Sequence, residues 1–266
     1  RPMKLTDAQL AEFDETGYLF FPELFSADEM AVINAEVPKI YTMRRDEVWR
    51  ESDGDAVRTA FAAHTYNEVF AKVARHPRLV EPVMQLVDGP VYMHQNKINA
   101  KAAFDGDVWQ WHQDYGTWSR DDLMPEPRAM NIALFLDEVR PVNGALMFIP
   151  GSHKLGVIEA GHDLLTTSYP LWSLDKQTVS KLANENGIVA PTGKPGSAVV
   201  FHANIVHASP GNISPWDRTI HYLSLCHVDN HIRRFKRPEF IAHRDFTAIE
   251  CLADDCLLSE VAVAAE

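Results

Sequence analysis

Residues 129–149, AMNIALFLDEVRPVNGALMFI, contain two apolar segments divided by a turn signal. The segments at 129–137 and 145–149 have the length and apolar content of buried strands. Asn143-Gly144 stands directly before the second segment and is a strong turn signal, because glycine accepts the positive φ that tight turns require. This stretch therefore predicts β-structure in the middle of the chain.

Segments of the same character lie on both sides of this stretch. Gly, Pro and Asn residues divide further candidate strands at 91–101, 108–112, 197–201 and 219–228. Many short strands joined by turns are typical of a sandwich or barrel. Residues 155–195 form a long insertion with one helical stretch near 173–186. Long connections in compact domains often have a function, which makes this insertion a candidate lid.

The N-terminal part favours helices instead. Residues 6–9 (TDAQ) and 26–29 (SADE) are capping boxes, in which a hydroxyl and a polar side chain three residues later satisfy each other's backbone N–H groups. The apolar run at 18–22 between them predicts a strand, and residues 66–87 have helical spacing. Residues 44–60 are polar and charged, and Asp53-Gly54-Asp55 within them predicts a loop. We expect these helices to pack on the β core.

The composition is typical of an acidic soluble protein. The 266 residues carry a formal net charge of −12, which argues against a nucleic-acid partner because such a partner needs a basic face. No apolar run approaches the roughly 18 residues of a membrane span. The cysteines, Cys226, Cys251 and Cys256, form no paired framework, which favours a reducing compartment. We expect a cytoplasmic protein with neither nucleic-acid nor membrane partners.

Two histidines and one carboxylate are candidate metal ligands. His112 and Asp114 are two residues apart, and residues at that spacing on a strand face the same way. His207 can supply a third ligand from a distant strand. Two histidines and one carboxylate form the three-ligand face of non-haem Fe(II) oxygenases, which leaves the opposite positions open. Zinc remains an alternative, because ligand type only biases the choice of metal.

The His-x-Asp spacing is weak by itself, since it recurs at His227-Val228-Asp229 and His243-Arg244-Asp245. Only the pair at 112–114 is followed by a distal histidine and then by Arg218. An arginine can hold a carboxylate through two parallel hydrogen bonds. The combination indicates an oxygenase with a small acidic co-substrate, and a zinc hydrolase would leave Arg218 unexplained.

Several motifs carry a resemblance to a known family. They are Trp111-His112-x-Asp114, Ile149-Pro150-Gly151-Ser152-His153, His207 with Arg218, Gln95-x-x-x-Asn99-x-Lys101, Thr117-Trp118 and residues 211–216, GNISPW. Together they resemble the phytanoyl-CoA dioxygenase superfamily of Fe(II)/2-oxoglutarate oxygenases, most closely its ectoine hydroxylase branch, over residues 5–250. Tyr115-Gly116 and Ile220 depart from that branch, which has Phe-Glu and Asn there. The resemblance therefore implies the reaction and not ectoine as the substrate.

The resemblance implies a mainly β fold, a double-stranded β-helix (jelly roll, cupin-like) with N-terminal α-helices around it. We expect one domain over residues 1–266. In it, residues 1–90 are mostly helical support and residues 91–230 are the jelly-roll core that contains the insertion. Residues 231–266 are a C-terminal extension.

The resemblance also implies roles for single residues. The iron ligands of the family correspond to His112, Asp114 and His207, and O2 is the oxidant. The residues that hold 2-oxoglutarate correspond to Lys101 and Arg218. A hydroxyl close to the distal ligand is a further candidate for a carboxylate of 2-oxoglutarate, namely Ser209.

The expected substrate residues rest partly on the resemblance, which places Gln95 and Trp118 near the substrate. Alternation along the strand puts Lys97 and Asn99 on the same face as Gln95. Asn99 is taken as a substrate residue, and the alternation leaves Lys97 undecided between cavity and solvent. Residues beside the metal pair or the next strand complete the candidates: Tyr115, Arg128 and Asn131.

These expectations describe a dioxygenase that hydroxylates an unactivated C–H bond of a small polar metabolite and forms succinate and CO2. An amino-acid-like, zwitterionic or phosphonate compound suits the polar residues. Two alternatives stay open. One is a non-catalytic jelly-roll protein that binds or senses a metabolite, and the other is a Zn-dependent hydrolase on the same barrel. Monomer and homodimer are both compatible with the sequence.

Overall fold

The computed structural model describes residues 3–52, 54–163 and 171–259. In this part of the chain the helices are α1 (Asp7–Thr16), α2 (Ala27–Asn34), α3 (Val37–Tyr41), α4 (Glu68–Val73), α5 (Pro77–Val87), α6 (Asp114–Arg120) and α7 (Lys176–Asn186). The strands are β1 (Tyr18–Phe21), β2 (Val48–Arg50), β3 (Val57–Phe61), β4 (Val91–Lys101), β5 (Trp109–His112), β6 (Ala129–Phe135), β7 (Met147–Phe148), β8 (Gly161–Asp163), β9 (Leu171–Ser173), β10 (Ala198–His202), β11 (His207–Ser209) and β12 (Arg218–His227).

Antiparallel strands form a large and a small sheet that pack face to face. The large sheet has the order β1-β10-β6-β12-β4-β3-β2, and the small sheet has the order β5-β11-β7. Strands β8 and β9 form a separate ribbon. One buried cluster joins Phe135 and Phe201 of the large sheet to Leu146 and Phe148 beside or within the small sheet. Burial of this apolar surface holds the two sheets together.

The helices cover the other face of the large sheet. Side chains alternate along β6, so that Ile132 and Leu134 point away from the small sheet and join a cluster with Phe13, Ile33 and Val80 of the helices. This arrangement explains why β6 is buried on both faces and why its sequence is almost continuously apolar.

The two predicted capping boxes are present. Thr6 accepts from the backbone of Gln9 at the start of α1, and Ser26 accepts from the backbone of Glu29 at the start of α2. In each case the side chain three residues on returns a bond to the backbone of the capping residue. Local hydrogen bonding fixed these helix starts, so sequence was sufficient to find them.

The turn predicted at Asn143-Gly144 is present, but the two strands on either side of it belong to different sheets. Strand β6 belongs to the large sheet and β7 to the small one. Gly144 has φ +93°, and a Cβ there would lie 3.0 Å from the Lys101 side chain. Asn143 closes the loop by donating to the carbonyl of Glu138 and accepting from the backbone of Arg140.

Three parts of the sequence-based prediction need correction. The polar region 44–60 contains β2 and β3, which extend the large sheet beyond β4. Helix α6 begins two residues after His112 and had not been predicted, and β11, the distant strand expected to carry His207, was missing from the candidate strands. The helical stretch in the insertion is α7, while residues 164–170 of the candidate lid lie outside the described residues. No helix in the described ranges is long and apolar enough to cross a bilayer.

Candidate metal centre and cavity

The structure brings His112, Asp114 and His207 together. One possible ligand atom from each lies within 4.8 Å of the others. His112 Nε2 is 3.1 Å from Asp114 Oδ1, and His207 Nε2 is 3.4 Å from Asp114 Oδ2. No other group of three or more His, Cys, Asp or Glu residues with this spacing occurs among the described residues.

Three elements position these side chains. His112 ends β5 and His207 begins β11, and the two residues are direct cross-strand partners. The prediction that Asp114 shares a strand with His112 is wrong, because the chain turns at Gln113 and Asp114 is the first residue of α6. The side chain of Gln113 fixes this turn by donating to the carbonyls of Gly156 and Asn204.

Both imidazoles present Nε2 to the centre. Nδ1 of His112 lies 2.6 Å from the carbonyl of Gln110, and Nδ1 of His207 lies 3.0 Å from the carbonyl of Ile205. A carbonyl can only accept, so each Nδ1 carries a proton, and in the neutral form of each ring the lone pair is then on Nε2. This pattern is typical of histidines that bind a metal.

The charges of the centre suit a divalent cation. Burial lowers the pKa of His207 to about 4, so its imidazole is neutral at neutral pH. Burial alone would raise the pKa of the Asp114 carboxyl, but His207 and His112 outweigh it and hold that pKa below its ordinary value. A neutral imidazole and an ionised carboxylate are the ligand forms that Fe(II) and Zn(II) bind, so these residues fit either metal.

Two buried basic side chains lie close to the centre, since one of them contacts Ser209, two residues after His207. Lys101 and Arg218 are cross-strand partners on β4 and β12 and are only 2% and 1% exposed. Lys101 Nζ donates to Ser209 Oγ at 2.7 Å and to the carbonyl of Pro210. Arg218 Nη1 donates to the carbonyl of Gly144 at 3.0 Å. Arg218 Nε has no hydrogen-bond partner.

No carboxylate among the described residues lies within ion-pair distance of Lys101 or Arg218. Buried charges are normally paired, since removing an ion from water costs several kcal/mol. Arg218 is thus a buried charge without a carboxylate partner in the described part of the chain, and Lys101 is a basic group beside it; we call this pair the anion receptor. A dicarboxylate would supply the missing charge.

A cavity of about 240 Å³ opens onto the three candidate ligands. Five of the predicted 2-oxoglutarate and substrate residues line it: Gln95, Asn99, Trp118, Asn131 and Ser209. Lys97, which the sequence left undecided, also lines it, as the alternation along β4 allowed. Lys101 and Arg218 lie behind this wall, with Lys101 in contact with Ser209.

Tyr115 and Arg128 do not line the cavity, and their assignment to substrate is corrected. The hydroxyl of Tyr115 donates to the carbonyls of Met124 and Pro125, because the start of α6 turns its side chain into a buried cluster. Arg128 precedes β6 and donates to the carbonyls of Val87 and Asp88 at the end of α5. Both side chains are therefore occupied by structural contacts.

Many residues of the cavity wall were not predicted from the sequence. The additional lining residues include Trp49, Phe61, Trp109, Asp121, Phe201, Tyr222, Ser224, Arg237 and Ile241. Trp49 and Phe61 come from the unpredicted strands β2 and β3. Arg237 comes from the expected C-terminal extension, which contributes directly to the cavity.

Arg237 is held in place by a buried carboxylate. Its Nε and Nη2 donate to the two oxygens of Asp122, at 2.9 and 2.6 Å, and Asp122 is fully buried. The backbone carbonyl of Asp122 also accepts from the backbones of Arg233 and Arg234. No periodicity marks this irregular segment, so no sequence signal could have assigned it to the site.

Comparison with known proteins assigns the chain to a family. The family "Phytanoyl-CoA dioxygenase (PhyH)" matches residues 13–220. The chain belongs to the phytanoyl-CoA dioxygenase family. The resemblance read from the sequence is thereby confirmed.

Individual relatives are similar to this chain over more residues than the family match covers. An ectoine dioxygenase of Stutzerimonas stutzeri (strain A1501) is 36% identical, over 90% of this chain and 84% of its own length. An L-proline trans-4-hydroxylase of Streptomyces griseoviridis is 34% identical, over 92% of this chain and 95% of its own length. The similarity thus includes enzymes named for different substrates.

Solved structures agree with this assignment. EctD from S. alaskensis with 2-oxoglutarate and 5-hydroxyectoine superposes with a TM-score of 0.83 at 34% identity, covering 93% of this chain and 87% of that one. The same protein with bound Fe gives a TM-score of 0.82 at 34% identity and the same coverage. The expected jelly-roll fold of the phytanoyl-CoA dioxygenase family is confirmed.

Proposed function

We propose that the protein is an Fe(II)- and 2-oxoglutarate-dependent dioxygenase that hydroxylates a C–H bond of a small polar metabolite. The observation that carries the proposal is the convergence of His112, Asp114 and His207 close to the buried basic side chains of Lys101 and Arg218. Membership of the phytanoyl-CoA dioxygenase family and the relatives with iron and 2-oxoglutarate support it.

The proposed roles follow from the contacts. His112, Asp114 and His207 hold the iron, and Arg218, Lys101 and Ser209 hold 2-oxoglutarate. When bound, iron and 2-oxoglutarate use O2 to convert a C–H bond to a hydroxyl group, with succinate and CO2 as co-products. The chain itself keeps both imidazoles in the metal-binding tautomer and provides positive charge for a dianion.

The cavity wall favours a zwitterionic substrate. Arg237 and Asp121 both line the cavity and carry opposite charges. Trp49, Trp109 and Trp118 give it aromatic walls, against which the apolar part of a small molecule can pack. Since the volume of about 240 Å³ is below that of a typical drug site, we propose an amino acid or a compound of similar size.

Binding of 2-oxoglutarate should take up a proton at Lys101. Burial, and then the neighbouring Arg218, lower the pKa of Lys101 to about 6, while the more distant Asp107 opposes this. The amine is therefore mostly neutral at about pH 7.5, and a bound dianion favours its charged form. Calorimetry in two buffers with different ionisation enthalpies should show uptake of about one proton per 2-oxoglutarate.

Lys101→Met is the matched variant for this measurement. It keeps the volume of the side chain but has no titratable group, so proton uptake should disappear while some 2-oxoglutarate binding remains through Arg218. In the wild type, affinity should weaken as the pH rises above about 6, because the bound proton becomes harder to obtain. Binding without proton uptake in the wild type would contradict the assignment of Lys101.

A substrate screen tests the proposed function. The protein, loaded with Fe(II) under anaerobic conditions, is given 2-oxoglutarate and a panel of amino acids, cyclic imino acids, cyclic amidines, betaines and phosphonates, and then O2. We expect one class to stimulate succinate formation and to gain one oxygen atom in mass spectrometry. Turnover without O2 and 2-oxoglutarate would indicate the zinc hydrolase. Tight binding without O2 consumption would indicate the metabolite sensor.

Arg237→Lys tests the zwitterion proposal with the substrate so found. Lysine keeps a positive charge next to Asp122 but loses the planar fork. We expect the KM for the substrate to rise about 10- to 100-fold, as for the loss of a charged hydrogen bond, with little change in the KM for 2-oxoglutarate. Arg244→Lys is the control, because Arg244 lies in the same segment but bonds only backbone carbonyls. An unchanged substrate KM in Arg237→Lys would reject the role.

A further inference from the structure

The Asp114 carboxylate accepts a hydrogen bond from a residue that is not a candidate metal ligand. Nδ2 of Asn131 donates to Asp114 Oδ2 at 2.7 Å. Asn131 lies on β6 in the large sheet, whereas Asp114 begins α6, so the bond joins two elements. Asn131 is 3% exposed, and burial makes this bond costly to lose.

A residue of the neighbouring strand fixes the orientation of the Asn131 amide. Ser224 is the direct cross-strand partner of Asn131 on β12, and its hydroxyl donates to Asn131 Oδ1. An amide oxygen can only accept, so this bond directs the NH2 group of Asn131 to Asp114. Hydrogen bonds thus run in one direction from Ser224 on β12 through Asn131 on β6 to Asp114 at the start of α6.

The chain of hydrogen bonds distinguishes the two carboxylate oxygens. Oδ2 accepts from Asn131 at 2.7 Å and lies 3.4 Å from Nε2 of His207, while Oδ1 has only the nearby Nε2 of His112, at 3.1 Å. A carboxylate with one oxygen already occupied offers the other more readily to a metal. In a centre that must keep coordination positions open, one-oxygen binding leaves more of them free.

We propose that Asn131 is a positioning residue that holds Oδ2 of Asp114, so that Asp114 offers the metal Oδ1 alone, and that Ser224 acts through Asn131. This proposal rests on the proposed function, because it presupposes a metal at His112, Asp114 and His207. It assigns to Asn131 a role toward Asp114 in place of the direct substrate contact expected from sequence.

The test is metal binding, measured apart from turnover. Co²⁺ binding to the anaerobic protein is followed by visible absorption in the wild type, Asn131→Leu, Ser224→Ala and the double variant. We expect Asn131→Leu to bind Co²⁺ about 10- to 100-fold more weakly, as is usual when a group that supports a metal ligand is removed. Ser224→Ala should have a smaller effect in the same direction. The double variant should equal Asn131→Leu.

Asn96→Leu is the matched control. Asn96 is an equally buried asparagine of the same sheet, on β4, and it bonds His221 and Met93 and makes no contact with Asp114. We expect it to lower the melting temperature and to leave Co²⁺ affinity unchanged. In turnover, Asn131→Leu should form more succinate per hydroxylated product than the wild type, since a loosened carboxylate disturbs the reacting geometry.

The outcomes separate this proposal from the proposed function. A wild type that binds no Co²⁺ overturns the proposed function and this inference with it. A wild type that binds Co²⁺, with Asn131→Leu binding equally well, overturns the positioning role alone. A rise in substrate KM at unchanged Co²⁺ affinity would instead make Asn131 a substrate contact, and equal losses of affinity in Asn131→Leu and Asn96→Leu would reduce it to a structural role.

Discussion

Asp114→Ala is expected to lower the rate of hydroxylation by at least about three orders of magnitude, which corresponds to about 4 kcal/mol in the barrier. The carboxylate supplies the only negative charge among the three candidate ligands. Without it, only the two histidine ligands remain, and two imidazoles hold a divalent cation weakly. The measurement is succinate and product formation at saturating 2-oxoglutarate and Fe(II), together with metal binding.

Asp229→Ala is the matched control for this variant. Asp229 belongs to another His-x-Asp pair, but its side chain is 88% exposed and it lies outside the cavity wall. We expect this variant to keep the rate of the wild type. If Asp114→Ala retains more than about one tenth of the rate under saturating metal, the assignment of the centre is wrong.

Arg218→Lys is expected to raise the KM for 2-oxoglutarate by about 100-fold. The charge is kept, but the fork that can bind a carboxylate through two parallel hydrogen bonds is lost. Losing a buried charged hydrogen bond costs about 1.5–3 kcal/mol, which gives an effect of this size. Initial rates against 2-oxoglutarate concentration measure it, and Fe(II) affinity should stay unchanged.

Arg140→Lys provides the comparison for Arg218→Lys. Arg140 is a partly exposed arginine paired with Glu138 in the loop after β6, and it does not line the cavity. Its replacement should leave both KM values as they are. A rise in the substrate KM alone in Arg218→Lys would show that Arg218 binds the substrate, and the anion receptor would then need another ligand.

Strong local signals explain what sequence could predict of the fold. The capping boxes of α1 and α2, the turn at Gly144 and the alternation along β4 all depend on neighbouring residues. The short strands β2 and β3 escaped prediction because the region 44–60 is mostly polar, and only the pairing of β3 with β4 and of β2 with β3 makes them strands. Tertiary pairing overrode weak local preference there.

The candidate site also combines residues that local patterns predicted with residues that only tertiary contacts bring into place. His112, Asp114 and His207 were found through ligand type and motif, although the expected geometry of a shared strand was wrong. Tyr115 was a candidate substrate residue because it follows the metal pair in sequence, whereas α6 directs its side chain into the core. Arg237 was missed altogether, because its position depends on the buried Asp122, more than a hundred residues away in the chain.

The sequence by itself determined the mainly β architecture, the residues able to bind a metal and the arginine able to bind a carboxylate. These follow from residue type and short-range spacing, which the chain carries wherever it folds. Only the tertiary structure decided that Asn131 holds Asp114, that Lys101 and Arg218 share a buried site and that Arg237 reaches the cavity. Hydrogen-bond partners and desolvation depend on residues brought together from distant parts of the chain, and no local pattern encodes them.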